Sequence, residues 1–440
     1  MKKLRPYLYT SLMVLGIFTV LFIYKGIYPF GSNSLIYGDM HDQITAFYYH
    51  LYDSFYANKS LLVDFTTSGG INFLGILAYY ILSPISLIVL LVPRSDIYLV
   101  VSVIVALKIL IASLTCLYFL RTFYKNMPSI LYIILSIIYA FSGYSLMFYQ
   151  ITPWMDVVYM LPLVMIGLKK VLDLEKPIFY IVTLTLSMIF SFYVTIMAII
   201  FIFLISIIYL FVYKNKDERK KAITSLGIST VLSILMSTLV VIPAYLQISV
   251  SYRLGFNLVS LLNSKTGPLT DKLCMIMFGG MAYVGIILLF KDYKKNKKFL
   301  KFYIPTLLLL LIPVVIEPVN KMLHFGSYAS FPYRFGFVTV LFLILGAAHY
   351  FNDFKFDSSK EYKFNKILSV IITVGACFGM ALLSYKYHSN FQNAIYRLSL
   401  SFDKKCIIVT SLIFILTLSS CLGIFLLNKT KFSIYLLFSL

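Results

Sequence analysis

The amino-acid sequence predicts an all-α fold, a polytopic transmembrane helical bundle, and three observations carry that prediction. Hydrophobic residues make up 60% of the 440 positions and charged residues 12%, about half the ~25% charge of an ordinary soluble domain. Apolar runs recur from end to end, long enough to cross a hydrocarbon core that takes about 20 helical residues. The basic residues behind the net charge of +21 gather in short stretches between those runs, as the positive-inside rule expects. A basic face for nucleic acid is therefore not indicated. Cys116, Cys274, Cys377, Cys406 and Cys421 are scattered, mostly inside apolar runs, with no CxxC and no neighbouring histidine. Neither a zinc site nor a disulfide framework follows from them.

The first span covers 6–24, with Lys2, Lys3 and Arg5 on its cytoplasmic side. No small-residue cleavage site follows it, so it reads as an uncleaved helix rather than a signal peptide. An external loop, 25–70, comes next. The run 71–93 is interrupted by Pro84. The N-terminus and Arg121 both mark the cytoplasmic side, and only 6–24 and 97–120 run uninterrupted between them. The 71–93 stretch therefore enters and leaves by the outer face as a re-entrant or interfacial element, and its irregular backbone needs a protein-lined or wet cavity. Further spans are 130–148, 154–168, 223–245, 273–290, 302–316, 337–350, 367–385 and 407–427. The uncharged run 178–213 lies between basic clusters at Lys169–Lys170 and Lys214, so it crosses twice with a turn near Ser191. The sum is about twelve spans in a single membrane domain, 1–440, with both termini cytoplasmic.

Chemistry concentrates in the external loop. Asp39, Asp42, Asp53 and Asp64 are four of only seventeen acidic residues and fall within twenty-six positions, a density that an apolar protein needs a reason to keep. Gly38 before Asp39 suits a turn. Asp39 is either the N-cap of the helix that follows or a general base at the membrane surface, with Asp42 one helical turn on. Asp53 falls on the solvated face of that helix, and Asp64 in a surface turn. Trp154 suits an interfacial belt. Asp156 lies inside an apolar run, where an ionisable group is a functional hypothesis; it either orients an acceptor or pairs with Arg334. Lys108 at mid-span snorkels, meets a phosphate, or meets a buried aspartate. Arg334 either snorkels among headgroups or binds a lipid phosphate in bidentate fashion. His324 reads as a solvated loop histidine or a hydrogen-bond donor, Tyr252 and Arg253 as a second phosphate site, and Glu317 as a weaker candidate near a span end.

Four segments, GDMHDQ (38–43), SGGINFLGILAYYILSP (68–84), YAFSGYSLMFYQITPWMDVVYMLPL (139–163) and VNKMLHFGSYASFPYRFGFV (319–338), resemble the bacterial YfhO family and follow its order. The resemblance implies a fold like that of GT-C glycosyltransferases, which carry an acidic catalytic residue in the first external loop; by position that residue is Asp39. It implies a polyprenyl-phosphate-linked sugar as donor and lipoteichoic acid or a related glycopolymer as acceptor, on the outer face of a bacterial cell membrane. Within its motifs Gln43, Asn72, Trp154, Asp156, His324, Tyr333 and Arg334 become substrate-contact candidates, with Arg334, Lys108 and Arg253 for the lipid phosphate. No metal ligands and no cofactor beyond the donor lipid are implied, and a divalent cation stays open. YfhO-like proteins usually continue into an external region, so a chain ending at Leu440 is expected to be a short or truncated member. A flippase of lipid-linked sugars, which would favour broken helices in corresponding halves, and a non-catalytic partner in glycopolymer assembly are the alternatives.

Overall fold

A computed structural model describes residues 4–67, 69–249, 272–273, 275–276, 280–326, 328 and 331–352. Tyr252, Arg253 and the expected spans 367–385 and 407–427 lie outside them, as does most of the cysteine set. The described helices are α1 (Arg5–Lys25), α2 (Thr45–Tyr56), α3 (Phe73–Tyr80), α4 (Ile97–Phe123), α5 (Ser129–Ala140), α6 (Gly143–Phe148) and α7 (Thr152–Leu172). They continue as α8 (Ile178–Tyr213), α9 (Lys216–Ser249), α10 (Gly280–Lys291), α11 (Tyr293–Val315), α12 (Glu317–Leu323) and α13 (Gly336–Asn352). A two-stranded antiparallel ribbon, β1 (Val63–Asp64) with β2 (Ile71–Asn72), closes the acidic loop. Among the described residues six helices are long and apolar enough to cross a membrane.

Two boundaries differ from those expected. The basic residues before 223 and 302 are not loops but the first turns of α9 and α11; those helices begin in water, where lysines are at no cost, before their apolar stretches start. The run 130–148 is not one helix: it breaks between α5 and α6 at Phe141–Ser142, where Ser142 is extended (φ −61°, ψ 160°) and Gly143 follows, a pairing that commonly bends helices.

The geometry of α8 follows from its two ends. A straight helix of 36 residues would be about 54 Å long. Yet Lys214, just past its C-terminus, lies 3.1 Å from Asp173, which precedes Ile178 by only five residues. Such a short connection spans at most ~18 Å, so the helix folds back on itself. The bend is at Ser191, whose φ of −162° and ψ of 81° leave the helical range. Thr195 Oγ1 donates to the Ser187 carbonyl at 2.9 Å and lies 2.9 Å from Ser187 Oγ, lacing the halves together. Close packing of α7 on this hairpin requires Gly167, since a Cβ there would meet the Tyr180 backbone at 2.5 Å.

At the centre, Lys108 of α4 and Asp156 of α7 are fully buried and paired at 2.8 Å. Lys108 also donates to the Thr152 carbonyl at 3.0 Å and to Ser86 Oγ at 3.2 Å. Ser83 Oγ donates to the other Asp156 oxygen at 2.8 Å. Ser83 and Ser86 flank Pro84 in the stretch between α3 and α4. Lys108 stands eleven residues into α4, about 16 Å along its axis, so the Pro84 turn is drawn well down beside the bundle. Tyr48 of α2 joins the network through Ser86 and Thr152, each at 3.1 Å.

Removing one partner of such a pair strands a charge in an apolar interior. Lys108→Met is expected to lower unfolding stability in detergent by about 3–5 kcal/mol, and a second change, Asp156→Leu, to recover most of it. Denaturant or thermal unfolding of the two variants measures this; a single variant as stable as the double would contradict it.

Candidate functional site

The acidic loop is tied to the bundle at Gly38. Its φ of +54° suits only glycine well, and a Cβ there would sit 2.2 Å from Gln150 Oε1, so the backbone lies directly on the α6–α7 connection. The Gly38 carbonyl accepts from the amides of His41 and Asp42 at 2.9 and 3.0 Å. This starts a wide turn, Met40–Ile44, in which Thr45 N–H reaches back to the Met40 carbonyl, and the turn runs into α2. Asp39 stands at the N-cap position of the turn, but its side chain makes no capping hydrogen bond. The half-buried carboxylate does not serve the helix end. Asp42 is largely exposed, 2.8 Å from His41 Nδ1. Gln43 Oε1 accepts from Tyr80 OH at 3.2 Å.

The other two aspartates are not solvated. Asp53 is buried on α2 and held by Arg94 at 2.7 and 3.1 Å and by Lys59 at 3.0 Å. Hydrogen bonding to Arg94 is the main reason its pKa falls to about 2. Asp64 is 1% exposed. It accepts from Thr66 N at 2.8 Å and from the Thr66 and Thr67 hydroxyls at 2.5 Å, with His50 Nδ1 at 3.3 Å. Burial alone would raise its pKa; those hydrogen bonds outweigh it and hold the carboxyl below the usual range. Both groups pin the loop, and the period of α2 did not reveal it because their partners, Arg94 and the 60–67 turn, come from other segments.

Arg334 stands between α12 and α13. Its guanidinium donates from NH1 to Tyr193 OH at 3.0 Å and from Nε to the Phe331 carbonyl at 3.2 Å. It lies 5.3 Å over the Trp154 ring and 5.6 Å over that of Tyr193, distances at which a cation is attracted to an aromatic face. Trp154 is not an interfacial belt residue: it is buried, edge-on to Phe148 and Phe331. Tyr193 arrives from the Ser191 bend and lies 6.2 Å from Tyr79, whose ring is 4.5 Å from Tyr80. Gln43, Tyr80, Tyr79, Tyr193 and Arg334 thus form one chain of contacts that starts from the turn following Asp39.

His324 is also buried, at 2% exposure, rather than solvated. Its Nδ1 is 2.7 Å from the Asn320 carbonyl, which only accepts, and its Nε2 receives the Arg334 N–H at 3.3 Å. The neutral Nδ1–H tautomer is the only one that satisfies both. Behind it Asn320 donates to Glu317 at 3.4 Å. Glu317 is buried against Lys272 at 2.5 Å and takes a further short hydrogen bond from Tyr328.

Several expected contacts are redirected. Asp156 pairs with Lys108, not Arg334, so in this conformation neither faces a sugar or a lipid phosphate. Tyr333 is buried, donating to the Leu310 carbonyl at 2.6 Å with Thr339 Oγ1 at 2.5 Å; its ring turns inward. Asn72 caps α3, accepting from Gly75 N at 3.3 Å. Arg253 lies outside the described residues. Tyr193, Tyr79, Gln150 and Lys272 were not singled out from sequence; a polar side chain beside a membrane turn was the available signal, and an aromatic-rich chain offers it too often to discriminate. Among the described residues no cluster of His, Cys, Asp or Glu could hold a metal ion.

Burial, with help from the Arg334 charge, lowers the His324 pKa from 6.5 to about 3. Between those values the unfolded chain binds a proton that the folded protein does not, so stability falls as pH drops from 6.5 towards 3. His324→Gln is expected to flatten the dependence of melting temperature on pH across that window. A slope equal to that of the unaltered protein would locate the titration elsewhere.

A family described as bacterial membrane protein YfhO matches residues 11–440. No curated protein and no solved structure matches the chain.

Proposed function

The chain belongs to the YfhO family of bacterial membrane proteins, and we propose that it is a GT-C-type, inverting glycosyltransferase acting at the outer membrane surface. The donor is a polyprenyl-phosphate-linked sugar and the acceptor lipoteichoic acid or a related glycopolymer. One observation carries the reading. The turn that begins at Asp39 is linked through Gln43, Tyr80, Tyr79 and Tyr193 to a guanidinium set among aromatic rings, Arg334.

The chemistry asked of this pair is simple. Asp39 takes the proton of an acceptor hydroxyl, whose oxygen forms a bond to the anomeric carbon from the face opposite the phosphate. The bond from that carbon to the phosphate oxygen breaks, and its electron pair leaves with the polyprenyl phosphate. Arg334 offsets the charge that develops there, a role for which a planar fork of donors is better suited than an ammonium. Electrostatic stabilisation of this kind strengthens where water is scarce. The half-buried Tyr79 and Tyr193 rings supply an apolar wall for a sugar face, with Trp154 packed behind Arg334. His324 holds the Arg334 backbone and is not itself an acid or base at neutral pH, because its pKa is about 3.

Asp39→Asn is expected to abolish transfer of sugar from polyprenyl-phosphate donor to external acceptor, with protein level and melting temperature unchanged. Arg334→Lys keeps the charge but not the fork and is expected to lose about tenfold to a hundredfold in rate, the worth of one strong charge-assisted hydrogen bond at ~1.5–3 kcal/mol. Radiolabelled donor in proteoliposomes reads both. Near-normal transfer by Asp39→Asn would overturn the assignment, and movement of the donor across the bilayer without transfer would favour a flippase.

A further inference from the structure

At the end of the bundle away from Arg334, a cavity of about 340 Å³ lies between α4, α7, α8, α11 and α13. That is within the ~300–1,000 Å³ of ligand pockets. It is formed by the C-terminal ends of α4, α7 and α8, whereas the candidate site uses the N-terminal end of α7 and the bend of α8. Its walls are aromatic and aliphatic, including Tyr209, Tyr213, Phe302 and Leu172. Phe123, Lys169, Tyr209 and His349 in its lining are half-buried, so the cavity is reached from the surface of the bundle.

The rim is cationic. Lys169 and Lys214 both pair with Asp173, so two positive charges share one carboxylate. Lys298, exposed on α11, stands 5.1 Å over the Tyr213 ring, and Lys169 stands 5.6 Å over that of Tyr209. A free anion has no use for an aromatic hole, and a zwitterionic lipid has little use for surplus lysines. A ligand with a negative head and an apolar tail satisfies both features, and basic pockets between membrane helices are suited to anionic headgroups. We propose that this cavity takes one acyl chain of an anionic phospholipid, with the phosphate held by Lys169, Lys214 and Lys298. The site is separate from the proposed transferase centre and stands whether or not that reading holds.

Full-length protein delipidated in detergent, then offered phosphatidylglycerol and phosphatidylcholine in equal amounts, tests this by native mass spectrometry. Retention of one phosphatidylglycerol in clear excess over phosphatidylcholine is expected, undisturbed by millimolar inorganic phosphate. Lys298→Gln, a surface change that leaves the core intact, is expected to weaken retention about fivefold, the share of one lysine near a membrane surface. Leu172→Trp is expected to fill the cavity and abolish it. Equal retention of both lipids, competition by inorganic phosphate, or retention unchanged in both variants would overturn the proposal. So would absence of lipid from the unaltered protein together with cross-linking of position 172 to the 353–440 stretch, which would assign the cavity to the chain itself.

Discussion

The contact between Lys108 and Asp156 constrains this protein more than any other described. An unpaired charge inside an apolar bundle costs several kcal/mol, so each residue can be buried only where the other is within reach. That requirement sets the rotation of α4 against α7 and the height at which they cross. The remaining hydrogen-bonding capacity must also be met, and Ser83, Ser86 and the Thr152 carbonyl meet it. The stretch around Pro84, which cannot form a continuous span, is thereby fixed at a particular depth. Such a pair adds little net stability over an apolar substitute; what it adds here is a single arrangement.

The candidate site inherits its geometry from that arrangement. Trp154 is two residues before Asp156, and Gln150 one turn earlier still. With Asp156 held, Trp154 on the same helix meets Arg334, and Gln150 in the turn before it lies beside Gly38. A second buried pair, Lys272 with Glu317, does comparable work from the other side, through Asn320 and His324 to the amide of Arg334. Two buried charge pairs therefore brace the residues around Arg334 from two sides.

The two ends of the bundle use charge differently. At the Arg334 end the acidic groups are satisfied in turn, Asp53 by Arg94 and Lys59, and Asp64 by two threonines and His50, which rigidifies the loop that bears Asp39. At the other end lysines outnumber carboxylates around Asp173, and the aromatic cavity lies among them.

The membrane class, the bend of 178–213 near Ser191, the Pro84 break and the turn at Gly38 were legible in the sequence, because each rests on a local property: hydropathy, run length, charge bias, or the backbone freedom of glycine. Lys108 and Asp156 were conspicuous in the same way, as charges in apolar runs. That Lys108 meets a buried aspartate was one of three readings, and the choice of Asp156 was not legible; neither were the inward turn of Tyr333, the burial of His324 or the neutralisation of Asp53. Each depends on a partner 10 to 48 residues distant in the chain, and periodicity carries no record of which distant group will arrive. Sequence alone determined that charges inside apolar runs, Lys108 and Asp156, needed partners; the tertiary structure decided which partners they have and that Asp53, Asp64 and His324 are buried as well, because only packing brings distant polar groups within hydrogen-bond reach.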